Sequence, residues 1–245
     1  MPMNEIKNQK ICVLQLGHSI LRFSVFHAKI LITFNPFVIE SMADSEILKA
    51  GEYEKTQYLE QFTSASWDAY AENKCLLILA SDAMMKDNQF IFHSVAVLIH
   101  NRVWLLSGPS GVGKSTQYRN LKKLLSEQID IISGDNPVLS FDENSISVYP
   151  SPWNGKENWG TMKTGNLAGI ILLRQGERNY IQSVKPSEAV IPVYREINTY
   201  AKSEKQVHMI AALEERLISS VPIWSFENTG DLKSSQILYE HIMNH

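Results

Sequence analysis

Through the first ninety residues short apolar runs alternate with polar breaks, and near Phe90 the pattern changes. Ile11 to Leu16, Leu21 to Phe26 and Lys29 to Phe34 read as strands, the latter two pairing as a hairpin, and Asn35-Pro36 interrupts the series. Glu46 to Tyr70, rich in charged and aromatic residues, predicts a helix with Tyr58, Phe62 and Trp67 facing a core. Cys75 to Ala80 is wholly apolar and predicts a strand buried on both faces. Beyond Phe90 two strands, Phe92 to Ile99 and Val103 to Leu106, flank the short turn His100-Asn101-Arg102. Gln117 to Leu125 then reads as a helix with Leu121, Leu124 and Leu125 on one face.

A buried strand, Ile129 to Ile132, follows, and Val138 to Phe141 and Ser145 to Tyr149 form a hairpin around Asp142-Glu143-Asn144. Helical patterns over Glu188 to Ile197 and Glu204 to Leu217, a strand over Val221 to Phe226 and a closing helix over Asp231 to Met243 complete the chain. The expected class is α/β, a mixed sheet with flanking helices. Residues 1–90 form a β-rich N-terminal region, separate from or integral to the core over 91–245.

Composition changes this little. At 245 residues, 44% hydrophobic and 20% charged, the chain is that of an ordinary soluble protein with room for a large core. A net charge of −3 offers no general attraction to nucleic acid or anionic membrane, so neither is expected as a partner. Cys12 and Cys75 sit in apolar runs and read as buried thiols in a reducing cytoplasm rather than a disulfide framework. The N-terminus lacks the apolar stretch of a secretory signal, and no apolar run is long enough to span a bilayer. Nine of the twelve glycines lie between Gly108 and Gly176, which concentrates specially shaped loops in the middle of the chain.

There the strand Val103 to Leu106 runs into Gly108-Pro109-Ser110-Gly111-Val112-Gly113-Lys114-Ser115-Thr116, which fits G-x-x-x-x-G-K-[ST] at every fixed position. Residue frequencies give such a match by chance about once in a hundred chains of this length. Glycines let successive N–H groups turn inward as an anion nest, and the helix that follows directs its partly positive N-terminus there. Gly108, Ser110, Gly111, Val112, Gly113, Lys114, Ser115 and Thr116 are therefore expected to cradle ATP. Lys114 would lie on the β- and γ-phosphates and the Ser115 hydroxyl on Mg²⁺.

Three further segments point to what is done with the nucleotide. Ser133-Gly134-Asp135-Asn136-Pro137 places an acid after the next strand, where Asp135 could take a hydroxyl proton or hold Mg²⁺, or simply form an Asx turn before the proline. His93 opens the strand ahead of the loop and is either structural or site-facing. Ser151 to Gly160 puts Lys156 and Glu157 in a tryptophan-bordered loop, expected to contact phosphate and to act through Mg²⁺ or the acceptor.

Together these segments resemble the HPr kinase/phosphorylase-like family, related in fold to ATP-dependent phosphoenolpyruvate carboxykinase. The likeness runs through His93 to Val97, Gly108 to Thr116, Gly134-Asp135-Asn136, Ser151 to Glu157 and Val221 to Trp224. It covers about Phe92 to Tyr239 and implies a P-loop kinase core over 91–245. It implies catalytic roles for Asp135, Lys114 and His93. The family's turn carries two adjacent aspartates, and here the second is Asn136. Asn136 offers a neutral oxygen to the metal, so Glu157 is the candidate to supply the missing charge. The expectation is a cytoplasmic ATP- and Mg²⁺-dependent kinase acting on a hydroxyl. The acceptor is a peptide serine or a metabolite, a homo-oligomer is compatible, and a non-catalytic ATP-binding regulator is the alternative.

Overall fold

The computed structural model describes residues 5–41, 44–51 and 66–245. In chain order the elements are β1 (Glu5–Leu16), β2 (Ser19–His27), α1 (Ala28–Phe34), β3 (Ile47–Lys49), α2 (Ser66–Met84), β4 (Gln89–Ile91), β5 (Ser94–Ile99) and β6 (Arg102–Ser107). Then come α3 (Lys114–Leu125), β7 (Ile129–Ser133), β8 (Val138–Phe141), β9 (Ile146–Tyr149), β10 (Gly165–Gln175), β11 (Tyr180–Ser183), α4 (Pro186–Tyr194), α5 (Glu204–Ser220), β12 (Ile223–Asn228) and α6 (Leu232–Met243).

β5 and β6 are apolar at nearly every position because both of their faces are covered. Alternate residues go to opposite sides of the sheet. Val95, Val97, Ile99, Trp104 and Leu106 join Leu121 and Leu125 of α3 and Leu238 and Ile242 of α6 in one core. Ala96, Val103 and Leu105 join Ala189 and Val193 of α4 and Ile210, Leu213 and Leu217 of α5 in the other. The result is helix, sheet, helix: a mixed α/β fold.

Pairing in the sheet explains where chemistry can gather. β6, β10 and β12 are parallel, while β5 is antiparallel to both β6 and β7. The C-terminal ends of β6, β7, β10 and β12 therefore share one edge, and β5 begins at that same edge. Loops at the carboxyl ends of strands are where open α/β sheets place their sites.

The N-terminal region is a smaller β1–β2–β3 sheet with α1 and α2 against it. Its core includes Phe23, Phe34, Leu76 and Met84, and it takes in Ile91, Val138 and Trp153 from the main body. Phe23 and Phe34 meet the Trp153 ring edge-on, at centroid separations of 6.3 and 5.5 Å.

Several expectations change. Lys29 to Phe34 lies within α1, and the hairpin partner of Leu21 to Phe26 is the preceding segment, β1. Cys75 to Ala80 lies within α2. A six-residue apolar run is ambiguous between a doubly covered strand and a buried helix turn, and the length of the surrounding element decides. Leu124 faces solvent while Leu121 and Leu125 are buried. Tyr58, Phe62 and the Trp67 side chain lie outside the described residues. β10, which joins the glycine-loop strand to β12, was not anticipated. Cys12 and Cys75 are not joined in a disulfide, and burial pushes the Cys12 thiol up to about 11. Among the described residues no helix is long and apolar enough to cross a membrane.

Candidate active site

β6 ends at Ser107 opposite Leu172, so β10 runs three residues further and backs the glycine loop. Gly108 has φ +134°, and a side chain there would come within 2.9 Å of the Leu173 carbonyl. Only glycine fits both demands. Farther along, Val112 N–H donates to Pro109 O at 3.2 Å and Gln175 Nε2 donates to Gly111 O at 3.0 Å, so the loop is held from inside and behind. Ser110 and Gly111 are exposed at the tip, Val112 and Gly113 are half-buried, and Ser115 and Thr116 stand half-buried in the first turn of α3. Lys114 folds back over the loop, its buried ammonium donating to Gly108 O at 2.6 Å and Pro109 O at 3.3 Å. Burial lowers its pKa, partly offset by the negative charges of Asp135 and Glu196.

Across the same edge, the turn after β7 is fixed by backbone contacts to the start of β5. Ser94 N–H donates to Asp135 O at 2.7 Å, and the Ser133 hydroxyl accepts from Asn136 N–H at 3.2 Å. His93, one residue ahead of β5, lies between two acids. Its Nδ1 is 2.6 Å from Glu196 Oε2 and its Nε2 is 3.3 Å from Asp135 Oδ1. Burial would lower the His93 pKa, but the hydrogen bonds to Asp135 and Glu196 outweigh it and the pKa rises. Burial likewise pushes the Asp135 carboxyl up, and the His93 contacts, with Lys74 and Lys114, overcome this and hold it below the ordinary carboxylate range. The unit is thus Glu196, His93 and Asp135 in a row, with the Asp135 side chain still 24% exposed.

Asn136 is committed to this scaffold. Its Nδ2 donates to Asp135 Oδ2 at 2.7 Å and to Trp153 O at 3.1 Å, while its Oδ1 accepts from Asn198 Nδ2 at 3.1 Å. It orients Asp135 through the first of these contacts. The Ser151–Gly160 loop packs against the same turn. Asn154 Oδ1 accepts from Ser133 Oγ at 3.0 Å, and Gly134 N–H donates to Trp159 O at 2.8 Å. Gly134 must be glycine, because a side chain would meet the Asn154 and Trp159 carbonyls at 2.9 Å. Gly155 lies against Asp135, its side-chain position 3.1 Å from Asp135 Cβ. The charged pair at the loop's tip points elsewhere. Lys156 is exposed, and exposed Glu157 pairs with Arg119 of α3 at 2.6 Å, one helical turn beyond Ser115.

No protein-family model matches the sequence, and comparison with curated proteins finds no relative. Among solved structures the chain is similar to one described as the Hpr(Ser) kinase/phosphatase from Coxiella burnetii. Identity is 9%, the match covers 63% of this chain and 91% of that one, and the TM-score is 0.37. A likeness of that strength assigns neither family nor activity.

The structure brings His93, Lys114 and Asp135 to one edge and adds two residues that the sequence did not single out, Glu196 and Asn198. Both follow α4, where Phe92 bridges to Ile197, His93 N–H donates to Glu196 O at 2.7 Å and Asn198 N–H donates to Ile91 O at 3.0 Å. Glu196 stands 103 positions from His93, and no local pattern in the sequence marks it.

Proposed function

We propose that the chain is an ATP-dependent kinase that transfers the γ-phosphoryl group to a hydroxyl, a serine of a peptide or small protein being favoured over a metabolite. The observation that carries this reading is the convergence of the glycine loop, the buried Lys114 ammonium and the His93-supported Asp135 carboxylate at one sheet edge. The loop N–H groups and the α3 N-terminus suit phosphate oxygens, and Lys114 adds the charge. The acceptor oxygen attacks the γ-phosphorus as the bond to the β,γ-bridging oxygen breaks, releasing ADP. Asp135 orients the hydroxyl and takes its proton. A carboxyl held this low is ionised near neutrality but weakly basic, so its contribution is more orientation than proton affinity.

Mg²⁺ keeps several waters and binds a few protein oxygens together with substrate phosphates. The Ser115 hydroxyl at the head of α3 fits that donor set. Among the described residues no group of three or more His, Cys, Asp or Glu gathers into a metal cage. The ion would neutralise phosphate charge when bound. Asn136 Oδ1 accepts from Asn198 and Glu157 pairs with Arg119, contacts that either residue, expected as a ligand, would exchange for the ion.

Calorimetric titration of the full chain with ATP and Mg²⁺, followed by transfer from γ-labelled ATP to serine peptides and a metabolite extract, tests the proposal. A chain that binds no ATP removes it. Binding without transfer to any acceptor replaces it with the regulator.

A further inference from the structure

The N-terminal region contributes no residue of the glycine loop or the acid turn, yet it reaches the same edge. Trp153 makes the connection. Its indole Nε1 donates to Asn73 O at 3.2 Å and Asn73 Oδ1 at 3.0 Å on α2, and two residues later Gly155 packs on Asp135. Next to Asn73 stands Lys74, and one turn earlier Tyr70. The Lys74 ammonium lies 5.8 Å from the centroid of the Tyr70 ring, which is 42% exposed.

Both side chains sense the acid turn. Burial first, and then the Asp135 charge, push the Tyr70 phenol up, while Lys74 is among the charges that pull Asp135 down. Lys74 is half-buried and forms no ion pair among the described residues. A half-buried ammonium that feels a carboxylate only at a distance is stabilised further by an anion brought into contact with it. The triphosphate has its own cation in Lys114, on a different element.

Resting on the kinase reading, we propose that Tyr70 and Lys74 of α2 form the acceptor side of the site. The acceptor is then a hydroxyl compound that carries an acidic group, carboxylate or phosphate, near the reacting oxygen. Lys74 pairs with that acid, and Tyr70 packs against the adjoining carbon skeleton. The N-terminal region thereby selects the substrate, while the main sheet handles the nucleotide.

The test measures binding rather than turnover, using the full chain saturated with a non-hydrolysable ATP analogue and Mg²⁺. The probes are two matched pairs: a single-serine heptapeptide flanked by glutamates against one flanked by alanines, and D-glycerate against glycerol. In at least one pair the anionic member should bind about tenfold or more tightly. That preference should vanish in Lys74→Gln and return in Lys74→Arg, with affinity for the analogue unchanged. Equal binding within both pairs, including no binding by any probe, overturns the proposal. Loss of analogue affinity in Lys74→Gln with discrimination intact also overturns it, assigning Lys74 to the triphosphate. A wild-type chain that fails to bind the analogue removes the kinase reading itself, and this proposal with it.

Discussion

Among the described residues two histidines stand between carboxylates, and one of these two reads as part of an active site. His27 lies between Glu72 and Asp68, its Nδ1 on Glu72 and its Nε2 3.3 Å from Asp68. His93 lies between Glu196 and Asp135 in the same way. The Nε2 partners are both partly exposed, Asp68 at 39% and Asp135 at 24%, so what differs is the surroundings. Glu72 is buried, and its oxygens also accept the backbone N–H groups of Phe26 at 2.7 Å and His27 at 3.1 Å. That cluster ties the end of β2 to α2. Asp135 shares its edge with the glycine loop and Lys114. A histidine between two acids is therefore not a site in itself. It becomes a candidate where one of the acids shares its edge with a buried cation and a glycine loop.

The comparison breaks most readily at the nucleotide. Lys114→Ala should weaken ATP binding and lower transfer by about 10²–10³-fold or more, while the fold is retained. Calorimetry and a melting curve check both, and unchanged ATP affinity would overturn the phosphate-loop assignment.

Next comes Asp135→Asn, expected to keep ATP binding but reduce transfer by roughly 10²-fold. The matching change in the other cluster, Glu72→Gln, should do the reverse. Transfer stays near wild type, while denaturant unfolding shows a loss of about 1.5–3 kcal/mol, the usual scale for hydrogen bonds to a charged group. If Glu72→Gln alone abolished transfer, the distinction between the clusters would be wrong.

A pH series sharpens it further. The raised His93 pKa contributes stability fully present below the ordinary histidine value and lost as pH rises through the raised one. The depressed Asp135 pKa contributes stability present above the ordinary aspartate value and lost as pH falls through the lowered one. The melting-temperature gap between wild type and His93→Gln should be widest between those limits and narrow on the alkaline side. Melts from about pH 5 to about pH 9 cover that side. A gap that widened with rising pH would contradict the raised His93 pKa.

The smallest effect belongs to the loop tip. Glu157 is half exposed and paired with Arg119, so Glu157→Gln should change stability by less than about 1 kcal/mol and transfer by about twofold at most. A large loss of Mg²⁺-dependent activity would show that the loop rearranges when nucleotide binds.

Much of the fold could be read because local signals were strong. The hairpin of β5 and β6, the α3 start after Gly113, the β8–β9 hairpin and the C-terminal helix each announce themselves by turn residues or apolar spacing. Where the signal was a bare apolar run, it failed. Cys75 to Ala80 has the same composition whether covered as a strand or as a face of α2, and Lys29 to Phe34 is only one short helix. The Trp153 loop was legible as structured, since two tryptophans and Asn154-Gly155 rarely make idle linker. The direction of Lys156 and Glu157 was not, because exposed side chains follow whichever partner is nearest.

By itself the sequence determined the glycine loop, because nest geometry and helix start are local consequences of residues 108–116. It also placed His93 and Asp135 next to strands with known ends. The His100–Arg102 turn already set β5 against β6, and only the tertiary structure decided that β7 pairs with the other side of β5, which carries Asp135 to the edge where His93 and the loop sit. The same folding brought Glu196 and Asn198 in from 103 and 62 positions away. Hydrogen bonds and charge act over a few ångströms whatever the chain separation, so partners so far apart along the chain leave no periodicity in the sequence to announce them.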